Sequence, residues 1–238
     1  MVIPAIDVRD GRCVRLYQGR PEAETVYAGD AVEVATRWRD EGAIRLHLVD
    51  LEGAFRGCPQ ILDLLAAVAA VGVPVEFGGG LRTLAQIEAA LTAGARWAIL
   101  GTAAVTDPAL VGEACRRWPG RIMAALDARD GQVTIAGWGR DGGVPAADLG
   151  RRVREAGVRE VVYTDVHRDG TLAGPNVAAT RALAKETGLR VIASGGVGTL
   201  ADLRYLKEAE ADGVCGVIVG KALYEGTVTL AAALREVS

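Results

Sequence analysis

"VEFGGGLRTLAQI" (75–87) and "VIASGGVGTLADL" (191–203) are two spellings of one phrase. Each holds a short apolar run rich in β-branched residues, a glycine pair, a threonine and an amphipathic stretch. That is the order of a strand, a tight turn and a helix start. The same alternation extends outward through the whole chain. Strands are expected at Val2–Asp7, Leu46–Asp50, Val73–Phe77, Trp97–Leu100, Ile122–Asp127, Val161–Asp165, Arg190–Ser194 and Gly216–Val219. Helical patterns lie between them, among them "AVEVATRWRDEG", "TLAQIEAALTAG" and "ADLRYLKEAEADG". Asp30 with Glu33, and Thr83 with Gln86, fit capping boxes; Pro108 after Asp107 marks a first turn. Gly42, Gly72, Gly94, Gly157 and Gly213 stand where helices end.

Nearly continuous apolar strands, each followed by a helix, imply a parallel sheet covered by helices. Eight such units in 238 residues fit an α/β fold of the closed (β/α)₈ TIM-barrel kind with few insertions. An open doubly wound sheet is disfavoured because the units are so even. The opening pair is one of three repeats. "AIDVRDGR" at Ala5 returns as "ALDARDGQ" at Ala125, and "LGTAAV" at Leu100 as "VGKALY" at Val219. Asp7 to Asp127, Gly79 to Gly195 and Gly101 to Gly220 are separated by 120, 116 and 119 positions. A near-constant offset of that length points to two duplicated half-barrels, about 1–120 and 121–238, within one domain spanning 1–238.

Half the residues are apolar, enough for a sizeable core. The net charge of −3, with no run of Lys or Arg, argues against nucleic acid or an anionic membrane as partner. Cys13, Cys58, Cys115 and Cys215 are scattered and the chain has two histidines, so no metal site is expected. The cysteines read as small buried hydrophobes of a reducing compartment. The start, "MVIPAIDVRDGR", reaches acidic residues too soon for a secretory signal. The longest apolar run, "ILDLLAAVAAVGVPV", is broken by Asp63 and too short to span a bilayer, so a cytoplasmic location is expected.

In such a barrel, ligands bind where strands end and the following loops begin. Gly79 and Gly80 follow the third strand, Gly101 and Thr102 the fourth, Gly195 and Gly196 the seventh, and Gly220 and Lys221 the eighth. A glycine turn lets backbone N–H groups approach an anion, and a helix N-terminus adds its dipole. Four such turns, matched pairwise and supplemented by Arg82, suit a ligand with a phosphate at each end. Asp7 and Asp127 end the first and fifth strands, which stand opposite each other in an eight-strand barrel. Two carboxylates facing across a mouth suit paired acid and base work. His47, Asp50, Thr164, Asp165 and Asp169 also stand at strand ends; His47 reads first as a satisfied core residue. The glycine-rich stretch around Trp138 fits a lid and a hairpin tip equally well.

Taken together, "IPAIDVRDGRCVRLYQG", "LHLVDLEGA", "EFGGGLRT", "GTAAV", "TDVHRDGTLAGPN", "ASGGV" and "IVGKALY" resemble the ProFAR isomerase family of histidine biosynthesis, from the first strand to the last. The resemblance implies an Amadori rearrangement of an aminoaldose to an aminoketose on a small-molecule bisphosphate. It implies no metal, no cofactor and no obligate protein partner. It makes Asp7 the base and Asp127 the acid, labels that the residues alone leave exchangeable. It also implies that Thr164 assists, and that Arg15, Gln18, Gly19 and Trp138 close over the substrate. The alternative is a dual-substrate isomerase that also takes phosphoribosylanthranilate. The related cyclase matches less well, since a Cys is expected where Ala5 stands. An FMN-dependent barrel would use the glycines after the seventh and eighth strands but not the first pair or the opposed aspartates. Arg82 in one half stands against Gly198 in the other, the position expected to tell the two phosphate ends apart.

Overall fold

The computed structural model describes residues 1–18 and 20–237. Its strands are Val2–Arg9 (β1), Arg12–Tyr17 (β2), Arg20–Ala28 (β3), Leu46–Asp50 (β4), Val75–Gly78 (β5), Trp97–Leu100 (β6), Ile122–Arg129 (β7), Gln132–Ile135 (β8), Arg140–Pro145 (β9), Glu160–Asp165 (β10), Arg190–Ser194 (β11) and Val214–Val219 (β12). Parallel ladders join β1, β4, β5, β6, β7, β10, β11 and β12 in that order, and β12 pairs back onto β1. The ring has no edge strand, and helices follow the barrel strands around its outside: a TIM barrel. No helix among the described residues is long and apolar enough to cross a membrane.

All eight expected strands are present, three with the expected ends and five with shifted ones. The third begins at Val75 rather than Val73, because Pro74 cannot donate to a ladder. The eighth starts at Val214, two residues early. β1 and β7 each continue two residues beyond Asp7 and Asp127, so neither aspartate ends its strand. Both strands turn through an Asp-Gly pair, Asp10–Gly11 and Asp130–Gly131, with positive φ at all four residues. Such turns suit a hairpin, and each leads to two antiparallel strands above the barrel, β2–β3 and β8–β9.

The expected N-caps are present, but at neither Asp30 nor Thr83 is the reciprocal half of the box seen. Asp30 accepts from the Val32 and Glu33 amides, and Thr83 from that of Gln86, but Gln86 reaches back to the Arg82 amide instead of closing a box. The complete reciprocal box forms at Thr199 and Asp202. The five glycines read as helix terminators all have positive φ. Of the cysteines only Cys13 is buried; Cys58 is exposed, because it lies in the loop between two helices and not on a packed face.

Alternation along each strand separates two cores. Val2, Ile6 and Val8 of β1 pack outward on helices with Leu46, Phe77 and Leu126. Ile3 and Ala5 face inward with Ile99, Met123, Val162, Ile192 and Ile218, filling the barrel centre. By the same parity Asp7, Asp127 and Thr164 point inward above that plug, and His47 points inward beside Ala5, at its level. Below it lies a charged cluster. Arg45 pairs with Glu76 at 2.5 Å and Glu160 at 2.6 Å, and stacks 3.9 Å above the centroid of the Trp97 ring. Arg45 and Glu76 are both buried. Removing one partner strands a charge in a medium that solvates it poorly. Arg45→Leu is therefore expected to cost about 3–5 kcal/mol in urea unfolding, and Arg45→Leu with Glu76→Leu distinctly less than twice that.

Candidate active site

The ladder register sets the first contact at the mouth. β10 pairs with β7 so that Thr164 stands directly beside Asp127, and Thr164 also pairs with Ser194 of β11. The Thr164 side chain hydrogen-bonds the Asp127 carboxylate, as does that of Trp138. Trp138 stands in the turn joining β8 to β9, a hairpin tip that lines the cleft. Burial raises the pKa of Asp127; the hydrogen bonds from Thr164 and Trp138 oppose that shift, as does nearby His47.

Asp7 has a different neighbourhood. The Arg15 guanidinium, reaching in from β2, donates to its carboxylate and to the Ala5 carbonyl. A third carboxyl, Asp169, belongs to the loop after β10 and lines the same cleft. Burial lifts its pKa to about 7, with Arg15 opposing the rise and Asp7 and Asp127 adding to it. His47 also lines the cleft, its Nδ1 2.6 Å from Glu76 Oε1. That contact is the satisfied partner expected of His47, whose inward position on β4 also brings it to the cleft wall.

The glycine turns ring the cleft, which encloses about 220 Å³. Gly79, Gly80, Arg82, Gly101, Thr102, Gly195, Gly196, Gly220 and Lys221 all line it. Gly101 and Gly220 have nearly the same backbone, φ −94°, ψ −94° and φ −111°, ψ −94°, each immediately before a short helix. Gly80 and Gly196 match as well, with φ of +74° and +91°. A Cβ there would stand 2.4 Å from the Gly53 and Gly174 carbonyls respectively. Below them Asp50 and Asp165 brace the loops. Asp50 accepts from the Gly53 and Gln60 amides, and Asp165 from the His167 amide and the Asn176 side chain. These two strand-end aspartates are thus tied to loop backbone instead of facing the cleft.

Several expected site residues are engaged with the protein. Thr102 Oγ1 accepts from the Ala136 amide beneath the Trp138 turn. Lys221 donates to the Gly170 carbonyl, and Arg82 to that of Ala54. Gln18 does not line the cleft. It clasps the loop after β10, donating to the carbonyls of Asp169 through its amide and of His167 through its side chain. Gly19 lies outside the described residues. Among those described, no group of three or more His, Cys, Asp or Glu residues is arranged to hold a metal ion.

A family model described as "Histidine biosynthesis protein" matches residues 1–229. The chain belongs to that family. It is 52% identical over 235 residues to a protein of Moorella thermoacetica, covering 98% of this chain and 97% of the relative. A protein of Hahella chejuensis is 50% identical over 232 residues, with 97% and 95% covered. One of Pelotomaculum thermopropionicum is 49% identical over 235 residues, with 98% and 91% covered. All three are named 1-(5-phosphoribosyl)-5-((5-phosphoribosylamino)methylideneamino) imidazole-4-carboxamide isomerase.

The two kinds of glycine respond differently to a methyl group. Gly196→Ala meets the Gly174 carbonyl with φ positive, and is expected to cost at least about 2 kcal/mol in urea unfolding. Gly101 has negative φ and nothing within 4 Å of its Cβ position. Its ψ of −94° lies just beyond the right-handed range of L-residues, so Gly101→Ala should cost only about 1 kcal/mol of backbone strain, yet weaken binding of a phosphate monoester about tenfold in calorimetry.

Proposed function

We propose that this chain is an aldose–ketose isomerase of histidine biosynthesis. It converts the aminoaldose ProFAR to the aminoketose PRFAR, the reaction expected from the resemblance and in keeping with the names of its relatives. The observation that carries the reading is one cleft with matched glycine turns around it and Asp7 and Asp127 projecting inward from opposite strands. The glycine turns after β5 and β6, with Arg82, hold one phosphate; those after β11 and β12, with Lys221, hold the other. The aminoaldose ribose then lies between the two carboxylates.

Asp127, whose burial favours the protonated form, donates to the furanose ring oxygen as the C1′–O bond breaks. Nitrogen lone-pair donation leaves a protonated imine at C1′, which acidifies C2′. Asp7, paired with Arg15, removes the C2′ proton. The resulting enolamine tautomerises to the ketose by regaining a proton at C1′. One proton leaves carbon and one returns, so the reaction is redox-neutral overall and needs no cofactor. Trp138 and Thr164 hold Asp127 in place, and the Trp138 turn excludes water. A cytoplasmic location, function without an obligate protein partner and the division into half-barrels at about residue 120 belong to the same proposal.

A second assignment of the acid is favoured by one observation: Asp169, at about 7, changes protonation where enzymes work. A carboxyl raised by burial is protonated below its pKa, so an acid role for Asp169 places a fall in kcat/KM as pH rises through about 7. Purified protein is expected to turn over ProFAR, with Asp7→Asn reducing kcat about 10²–10⁴-fold. Well-folded wild type without turnover would overturn the reading. If Asp127 is the acid, Asp127→Asn falls by a similar factor and Asp169→Asn keeps the alkaline limb. If Asp169 is the acid, its Asn variant loses that limb along with the activity. Phosphoribosylanthranilate as a second substrate in the same assay decides the dual-substrate alternative.

A further inference from the structure

The duplication that places Asp7 and Asp127 in matching positions gives them unlike partners. The counterpart of Arg15, 120 positions on, is Ile135, and the counterpart of Tyr224, 119 positions back, is Val105. One half thus carries an arginine and a tyrosine where the other carries two aliphatic residues. In the fold these two residues meet. The Arg15 Cζ lies 5.4 Å from the Tyr224 ring centroid, within cation–π range. The Tyr224 hydroxyl donates to the Ala5 carbonyl at 3.1 Å, and Arg15 Nη2 donates to that same oxygen. A carbonyl has two lone pairs, so both donors are satisfied together.

The tyrosine is itself held on other sides. Trp38 packs edge-on, 5.9 Å between centroids, and Tyr27 lies at 5.0 Å. Burial raises the phenol pKa, which keeps the hydroxyl a neutral donor. Gly220 completes the slot: a Cβ there would stand 2.5 Å from Arg15 Cζ. Arginine has a long, mobile stem, and its charge helps Asp7 only from one orientation. A ring face below, a shared carbonyl beside and a bare backbone opposite leave it that orientation.

We infer that Tyr224 is a positioning residue for the reaction, fixing the Arg15 guanidinium against Asp7. Through it, only one of the two duplicated carboxylates receives a permanent counter-charge, which separates base from acid in a site of symmetric backbone. The inference rests on the reading of Asp7 as the base.

The test is a double-mutant cycle on ProFAR turnover with Tyr224→Leu, Arg15→Met and the combination, alongside crystal structures of both single variants. Tyr224→Leu is expected to lower kcat about tenfold while KM stays within about twofold, since the loss falls on the proton-transfer step. In the Arg15→Met background the same change should cost less than about twofold, because Tyr224 acts only through Arg15. Tyr224→Phe keeps the ring and should lose only about threefold; it serves for the cycle if the leucine variant does not fold. Equal losses in both backgrounds would overturn the inference, as would a Tyr224→Leu structure with the guanidinium still on Asp7. A wild type inactive on ProFAR would sink the assignment of the reaction instead, and the crystal structures would still decide what Tyr224 holds.

Discussion

Between β7 and β10 a parallel ladder pairs Thr164 with Asp127 and turns the sheet into a ring. Without it β7 and β10 would be edges, and the strands bearing Asp7 and Asp127 would not stand opposite each other. Ring closure also dictates what fills the middle. Inward residues of all eight strands must share one narrow space, so an apolar plug sits above a charged base. Inward polar groups of the strands therefore stand at its two ends, ion-paired at the base and open to the cleft at the mouth.

Backbone symmetry and side-chain asymmetry divide the work at that mouth. The matched hairpins after β1 and β7, the near-identical dihedrals of Gly101 and Gly220, and the braced turns over Asp50 and Asp165 repeat across the barrel. The side chains do not repeat. Arg82 extends over Gly57, whereas a Cβ on its counterpart Gly198 would lie 2.4 Å from the Leu172 carbonyl. Gln18 clasps a neighbouring loop where its counterpart Trp138 bonds Asp127. The scaffold thus gives equal backbone turns unequal neighbours.

Much of the barrel was legible because its signals are local. Each inner strand is a short apolar run bounded by turn residues, and helix stops carry glycine, so all eight strands and five stops could be placed. The four antiparallel strands were not read. β2, β3, β8 and β9 mix polar and apolar residues without a continuous apolar run and are partly exposed, a weak pattern beside the barrel strands. Asp10–Gly11 and Asp130–Gly131 were the available hairpin signal. The cleft glycines and the opposed aspartates were legible through the duplication. His47 was legible as a satisfied residue, and it does meet a carboxylate, Glu76; that it also reaches the cleft wall depends on ring closure.

The sequence by itself determined the fold class, the two-part repeat and the residues that ring the mouth, because strand period, turn chemistry and duplicated spacing are properties of neighbouring residues along the chain. Only the tertiary structure decided which of those residues touch. It brought Arg15 to Asp7 over Tyr224, a residue more than two hundred positions away, and it laid Trp138 on Asp127. It also turned Gln18 and Asp165 away from the cleft to fasten loops. Those contacts depend on ring closure and on which faces loops present after packing. The doubled phrase at 75–87 and 191–203 announces two equivalent glycine turns; what makes them unequal is fixed by distances across the barrel, which no local spacing encodes.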